Sequence, residues 1–224
     1  SGRSLASLLF EALTLRLSPT RLGLSEYIDF QLYRDDLGPS AKASFGGQRT
    51  QAVLEEILID DYSKFLSLDK VTMYAVLRGH SIPIPEVRAT YRAARPDSAP
   101  SMANADELEA YLRRPAALPV YIKRAFGAYG RGNMLVQRFD GSHVVLGNAS
   151  SEPIADFCRT LDDGRTLGWI LQQPLVSHSA IRTLTQSEKV SGLRIHSFLS
   201  GGDTKVTKAI FKINVGVKDS DNFE

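Results

Sequence analysis

The stretch Tyr121-Ile122-Lys123-Arg124-Ala125-Phe126-Gly127-Ala128-Tyr129-Gly130-Arg131-Gly132 decides how this chain is read. A short apolar run, Leu118 to Ile122, delivers Lys123, a glycine-rich loop follows, and a second apolar run covers Asn133 to Phe139. The pattern predicts strand, lysine, loop, strand. Glycine supplies positive φ without steric cost and lets a backbone approach a phosphate closely. Successive loop N–H groups form an anion-binding concavity, and a lysine beside them adds a compact positive charge. Together they predict a clamp for nucleotide phosphates; the plain alternative is a long hairpin turn beside a surface lysine.

Three familiar phosphate loops are excluded. A P-loop needs Gly-Lys followed by Ser or Thr at a helix start, and here the lysine precedes the glycines. A dinucleotide fingerprint needs G-x-G-x-x-G leading into a helix, whereas the order here is G-x-x-G-x-G leading into an extended run. A protein kinase places its glycine loop before its lysine. Zinc needs close His/Cys clusters, but His80, His143, His178 and His196 are scattered and Cys158 stands alone. No Gly-x-Ser-x-Gly elbow of a serine hydrolase is present.

The chain has 224 residues, enough for one large or two small domains, and its 43% hydrophobic content permits a sizeable core. A net charge of +2 gives no bulk electrostatic case for a nucleic-acid or membrane surface. The single cysteine rules out an internal disulfide framework and fits a reducing, cytoplasmic compartment. No apolar run reaches the roughly 18 residues of a membrane span. Ser1-Gly2 reads as a cloning remnant. The ending, Asp219 to Glu224, carries no helix stop and no tail composition, so the chain is expected to continue beyond it.

Residues 4–66 are predicted helical: Leu5, Leu8, Leu9, Ala12, Leu13 and Leu17 at helical spacing up to Pro19, then Glu26 to Leu32, then Gln48 to Tyr62 with Val53, Leu54, Ile57 and Leu58 on one face. Ser67 is the expected N-cap of the next helix, with Gly79 as its left-handed stop. Pro83 and Pro85 predict an edge strand over 81–87. A short helix is expected over Ala105–Arg113 and another over Glu152–Leu161. Strands are expected at Pro119–Lys123, Asn133–Phe139, Ser142–Leu146 across an Asp140-Gly141 turn, Trp169–Gln173, Leu193–Leu199 and Lys205–Phe211.

Read in order, the pieces are Leu68-Asp69-Lys70 opening a helix, Ile82-Pro83-Ile84-Pro85 after it, Lys123 with its glycine loop, Leu171-Gln172-Gln173-Pro174-Leu175, Leu193-Arg194-Ile195, and Asp221-Asn222-Phe223. This order resembles the ATP-grasp superfamily, and its phrases are most similar to the sugar-transfer-associated ATP-grasp family, over about residues 24–224. The resemblance implies an α+β ATP-grasp fold, two subdomains clamping a nucleotide. A helical N-terminal region would cover 1–66, a first subdomain with the lid 67–167, and the start of a second, truncated subdomain 168–224. It implies ATP and Mg²⁺ as cofactors and an ATP-dependent carboxylate ligase working through an acyl-phosphate. A small-molecule carboxylate and a nucleophilic acceptor of polysaccharide or glycoconjugate synthesis would be its partners.

Carried onto this sequence, the resemblance gives Lys70 and Lys123 the nucleotide phosphates and Gly127, Gly130 and Gly132 the lid, to which Arg131 adds charge or simply faces solvent. Gln172, Gln173 and Leu175 fall at the adenine hinge, where an acceptor is needed for an exocyclic amine; many relatives have glutamate there. Leu171 and Leu175 pack the purine or the core. No acid stands at the usual ribose distance, Glu188 being the next one. Arg194 and Lys212 correspond to groups around the transferring phosphate, and Asp221 and Asn222 to metal-site positions. The main metal ligands are expected past Glu224, leaving this chain inactive alone. The rival expectations are a non-catalytic nucleotide-binding module and an ATP-dependent phosphotransferase on the same scaffold.

Overall fold

The computed structural model describes residues 2–93, 99–128, 130, 132–162, 164 and 166–214. The fold is mixed α+β. The chain divides into two compact units, Ser1–Phe65 and Leu66–Glu224.

The first unit is helical: α1 (Leu5–Leu17), α2 (Leu24–Asp29), α3 (Pro39–Ala43), α4 (Gln48–Leu58) and the start of α5 (Asp61–Leu68). Its core is Ala12, Leu15, Leu22, Tyr27 and Leu32, with Tyr33, Leu37 and Phe45 against it. The expected single helix over Gln48–Tyr62 is broken. Ile59 is extended (φ −117°, ψ 117°), and Asp60 caps α5 by accepting from Ser63 N at 2.9 Å and Ser63 Oγ at 2.7 Å. The stripe Val53, Leu54, Ile57, Leu58 is exposed, as are Leu5, Leu9, Leu13 and Leu17. Periodicity defines which residues share a helix face, not what covers that face.

One ion cluster is built into this unit. Lys42, 4% exposed, donates to Glu11 Oε1 at 2.9 Å, while Tyr27 Oη and Arg3 Nη1 donate to Glu11 Oε2 at 2.6 and 2.9 Å. Burial pushes the Glu11 carboxyl up, but the hydrogen bonds from Tyr27, Lys42 and Arg3 outweigh it and hold it at about 2, below its ordinary 4.5. A folded-state pKa below the unfolded one adds stability that is complete above pH 4.5 and is lost as the pH falls through about 2. The shift corresponds to at most about 3 kcal/mol. Glu11→Gln also leaves Lys42 buried opposite a neutral amide, so about 2–4 kcal/mol is expected to be lost at neutral pH. Amide exchange over α1 and α2 checks this: the variant should exchange faster at pH 7 and lose the acid-dependent step of the parent.

The second unit opens with α6 (Lys70–Gly79) and continues as β1 (Val87–Tyr91), β2 (Ser101–Met102), α7 (Ala105–Leu112), β3 (Val120–Arg124), β4 (Met134–Phe139), β5 (His143–Leu146), β6 (Ser151–Pro153), α8 (Ile154–Leu161), β7 (Trp169–Gln172), α9 (Ser179–Thr185), β8 (Gly192–Ser200) and β9 (Asp203–Lys212). A seven-stranded mixed sheet has the order β2-β1-β7-β3-β4-β5-β6, and β8-β9 form a separate two-stranded sheet. Among the described residues, only β1 and β2 run parallel; β3 to β6 form an antiparallel meander, and β7 returns antiparallel between β1 and β3. All four residues of β7 are buried, as expected of a central strand. A division of the chain at 167/168 would therefore separate β7 from its own sheet.

The sheet's two faces carry separate cores. Ala89, Tyr91, Val120, Ile122, Trp169 and Leu171 face α7 and α8, including Leu108, Leu112, Phe157 and Cys158. Val87, Ala125 and Ile170 face Val71 and Tyr74 of α6. Cys158 is a buried core thiol pushed up to about 12 by burial.

Three local expectations are corrected. Asp69, not Ser67, caps α6, its Oδ1 accepting from Val71 N at 3.1 Å and Thr72 N at 3.4 Å. Gly79 is helical, and the left-handed residue is Ser81 (φ 57°). Ser81 N donates to Arg78 O and Ile82 N to Leu77 O, both at 2.9 Å, which is the paired bonding of a Schellman end. The Pro83–Pro85 stretch leads into β1 and is not itself a strand; β1 is an interior strand, paired on both sides. A serine at a left-handed position is strained, so Ser81→Gly is expected to gain about 0.5–1 kcal/mol in chemical denaturation, the strain relief exceeding the added unfolded-state entropy.

Candidate functional site

The site forms where the start of α6 meets the exit of β3. Lys70 N donates to Ala125 O at 2.9 Å and Gly127 N donates to Leu68 O at 3.1 Å, a two-bond bridge between the helix cap and the loop. Asp69, next to Lys70 in sequence, caps α6 through its side chain. Lys70 and Tyr74 stand one turn apart on α6 and so share a face. Lys123 pairs with Ile170 in register, and Tyr121 with Gln172, so Lys123, Ile170 and Gln172 project to the α6 side of the sheet.

The side chains then join. Lys70 Nζ donates to Gly127 O at 2.5 Å. The Lys123 ammonium donates to Tyr74 Oη and lies 4.8 Å from that ring's centre. Tyr74 Oη in turn lies 3.2 Å from Gln172 Oε1. Tyr74 and Gln172 are buried. Burial, and then the charge of Lys70, lower Lys123 to about 8. Burial also lowers Lys70, against the opposing charge of Asp69. An anion bound beside the two ammonium groups would offset both the lost solvation and their mutual repulsion.

All three loop glycines have left-handed backbone: Gly127 at φ 128°, Gly130 at 67° and Gly132 at 76°. The two ends of the loop differ. A Cβ on Gly127 would meet nothing within 4 Å, whereas one on Gly132 would lie 3.2 Å from Arg124 Nε and 3.3 Å from Trp169. Arg124 spreads its guanidinium 5.9 Å from the Trp169 ring centre, so the far end of the loop is wedged and the near end is open. Arg131 lies outside the described residues.

At the hinge, Gln173 is exposed and its N–H donates to Glu86 O at 2.8 Å; Leu175 is exposed as well. Leu171 faces the opposite core with Ile122, so it does not line the Lys123 side. Gln172 Oε1, the acceptor expected for an exocyclic amine, already accepts from Tyr74. Glu188 accepts from Arg182 at 2.7 Å.

Arg194 and Lys212 lie on the two-stranded sheet. Register pairs Arg194 with Ile210, His196 with Lys208 and Gly192 with Lys212, putting Arg194, His196, Lys208 and Lys212 on one face. Leu193, Ile195, Ala209 and Phe211 form the other. Arg194 is exposed, and Lys212 is 5% exposed at the strand end. Asp221 and Asn222 fall outside the described residues. Among the described residues no group of three or more His, Cys, Asp or Glu side chains is placed to hold a metal ion, and no helix is long and apolar enough to cross a membrane.

Two residues of the site carried no motif. Tyr74 was legible only as the fourth residue after Lys70, on the same helix face. Gly168 (φ 90°), whose carbonyl accepts from Ala125 N at 2.9 Å, looked like any loop glycine. No protein-family model matches this chain, nor does any curated protein or solved structure.

Proposed function

We propose that this chain carries the nucleotide site of an ATP-grasp carboxylate ligase. The observation that supports it most is that Lys70, held at the root of the glycine loop, and Lys123 lie close enough for the charge of one to act on the other, beside a buried Tyr74–Gln172 pair, while Asp69 caps α6. The ordered sequence pieces that resemble the superfamily add to it. The donor set suits a polyphosphate: two ammonium groups whose charges act on each other and positive-φ glycines.

In this reading Lys70 and Lys123 bind the phosphates, and the loop from Gly127 to Gly132 closes over them and excludes water. Gln172, Gln173 and Leu175 border the base, Arg194 and Lys212 face the transferring group, and Asp221 and Asn222 would help hold Mg²⁺. Bound MgATP would supply an activated phosphoryl group, passed to a carboxylate whose acyl-phosphate an amine or other nucleophile then resolves, releasing phosphate. The acceptor class we infer is a component of polysaccharide or glycoconjugate synthesis, made in the cytoplasm. Calorimetry with MgATP and with inorganic triphosphate tests the site. The parent chain is expected to bind both, and Lys123→Met neither at comparable concentration; equal binding by the two proteins removes the clamp.

A further inference from the structure

Tyr74 carries no phosphate-binding signature, yet it touches both halves of the site. A lysine ammonium only donates, so at the Lys123–Tyr74 contact the phenol oxygen accepts. The phenol's single proton is then free for Gln172, 3.2 Å away, and the amide atom that receives it is Oε1. Donor order thus runs from Lys123 to Tyr74 to Gln172 Oε1. Tyr74 is 6% and Gln172 4% exposed, so the chain is nearly dry, and hydrogen bonds weigh more there than in water.

Resting on the phosphate-site reading above, the geometry points to Tyr74 as the positioning residue of this site: it aims the Lys123 ammonium and turns the Gln172 amide so that its N–H donors remain for a ligand. The ring under the ammonium and the phenol oxygen beside it both favour the charged lysine, against burial and the charge of Lys70. Among the described residues, the charged and titratable groups on this side are Lys70 and Tyr74 of α6 and Tyr121, two residues before Lys123 on β3; β7 contributes Ile170 and Gln172, both neutral, and Asp69 acts on Lys70.

Tyr74→Phe keeps the ring and removes both the acceptor and the proton. In the ligand-free chain, the pH at which Lys123 becomes half-reactive toward an acylating reagent, read by mass spectrometry, is expected to fall by about half a unit or more. Affinity for MgATP and for inorganic triphosphate is expected to drop about five- to tenfold. In the Tyr74→Phe background, Gln172→Leu should cost less affinity than it does in the parent. If Tyr74→Phe unfolds because Gln172 is left without its donor, Tyr74→Phe/Gln172→Leu removes both polar partners, and the Lys123 midpoint must still fall. An unchanged midpoint with unchanged affinity overturns the role of Tyr74. A shifted midpoint in a chain whose parent binds neither ligand supports the Tyr74–Lys123 coupling and overturns the phosphate reading instead.

Discussion

Replacing Lys123 by methionine is expected to stabilise the ligand-free chain by about 1–2 kcal/mol at neutral pH while weakening MgATP binding at least about 30-fold. The two effects have one cause. Burial, and then Lys70, bring Lys123 from its ordinary 10.5 down to about 8. A lysine depressed on folding binds fewer protons folded than unfolded, so its cost to stability is complete below pH 8 and vanishes as the pH rises from 8 toward 10.5. The full shift corresponds to about 3 kcal/mol. Methionine recovers part of this, because the contact with the Tyr74 hydroxyl and ring is lost with the charge. Denaturation at pH 7 and at about pH 9.5 separates the charge from packing: the advantage of the variant should shrink at the higher pH. A surface lysine would give no such gain, and a lysine needed for packing would give a loss. Bound triphosphate should return Lys123 to its charged form, so binding near pH 8 should take up protons, seen as a dependence of the heat on buffer ionisation. A variant less stable at pH 7, or one binding MgATP as well as its parent, would refute the assignment.

Much of this arrangement was legible because it is local. Strand-lysine-loop-strand needs only the alternation around Lys123 and its glycines, and β3, β4, β5 and β7 fall within a residue or two of their expected bounds. Long-range pairing was not legible. Nothing in Trp169-Ile170-Leu171-Gln172 says that it runs between β1 and β3, so the same apolar run read as the opening of a second subdomain. That insertion decides which hinge side chains see Lys123: Ile170 and Gln172 do, and Leu171 does not. Caps were misread where two polar residues competed, as with Ser67 and Asp69, because either could satisfy the first N–H groups by composition alone. Apolar stripes on α1 and α4 were visible as stripes but not as exposed ones, because exposure depends on neighbours that a periodicity does not name. Tyr74 shows the same limit from inside the site: its spacing from Lys70 puts it on the right face, but only the packed sheet brings Lys123 and Gln172 to its hydroxyl.

Gly168→Ala is expected to be the most damaging single methyl group in the second unit, costing at least about 3 kcal/mol and roughly 8–12 °C in Tm. Gly168 has φ 90°, and a Cβ there would lie 2.3 Å from Arg92 O, 2.4 Å from Arg92 C and 2.6 Å from Tyr91 O. These are backbone atoms at the end of β1, next to a fully buried Tyr91, so no side chain can swing aside to make room. The strands must separate or the turn must unwind. Either movement disturbs the site, because Gly168 O accepts from Ala125 N at 2.9 Å while Ala125 O accepts from Lys70 N at 2.9 Å. One carbonyl thus ties the entry of β7 to the root of the glycine loop and, through it, to the cap of α6. Gly127→Ala is the matched control: its φ of 128° is as unfavourable for alanine, but a Cβ there meets nothing within 4 Å. The control should lose only the backbone strain, about 1–2 kcal/mol. Thermal unfolding of both variants, followed by calorimetry with inorganic triphosphate below their transitions, measures the difference. Gly168→Ala should be the less stable by several degrees and should bind more weakly than the parent even where it is folded, since the lysine-bearing segments have moved. A Tm for Gly168→Ala within about 2 °C of the parent's would mean that β1 and β7 do not meet as closely as 2.3 Å implies.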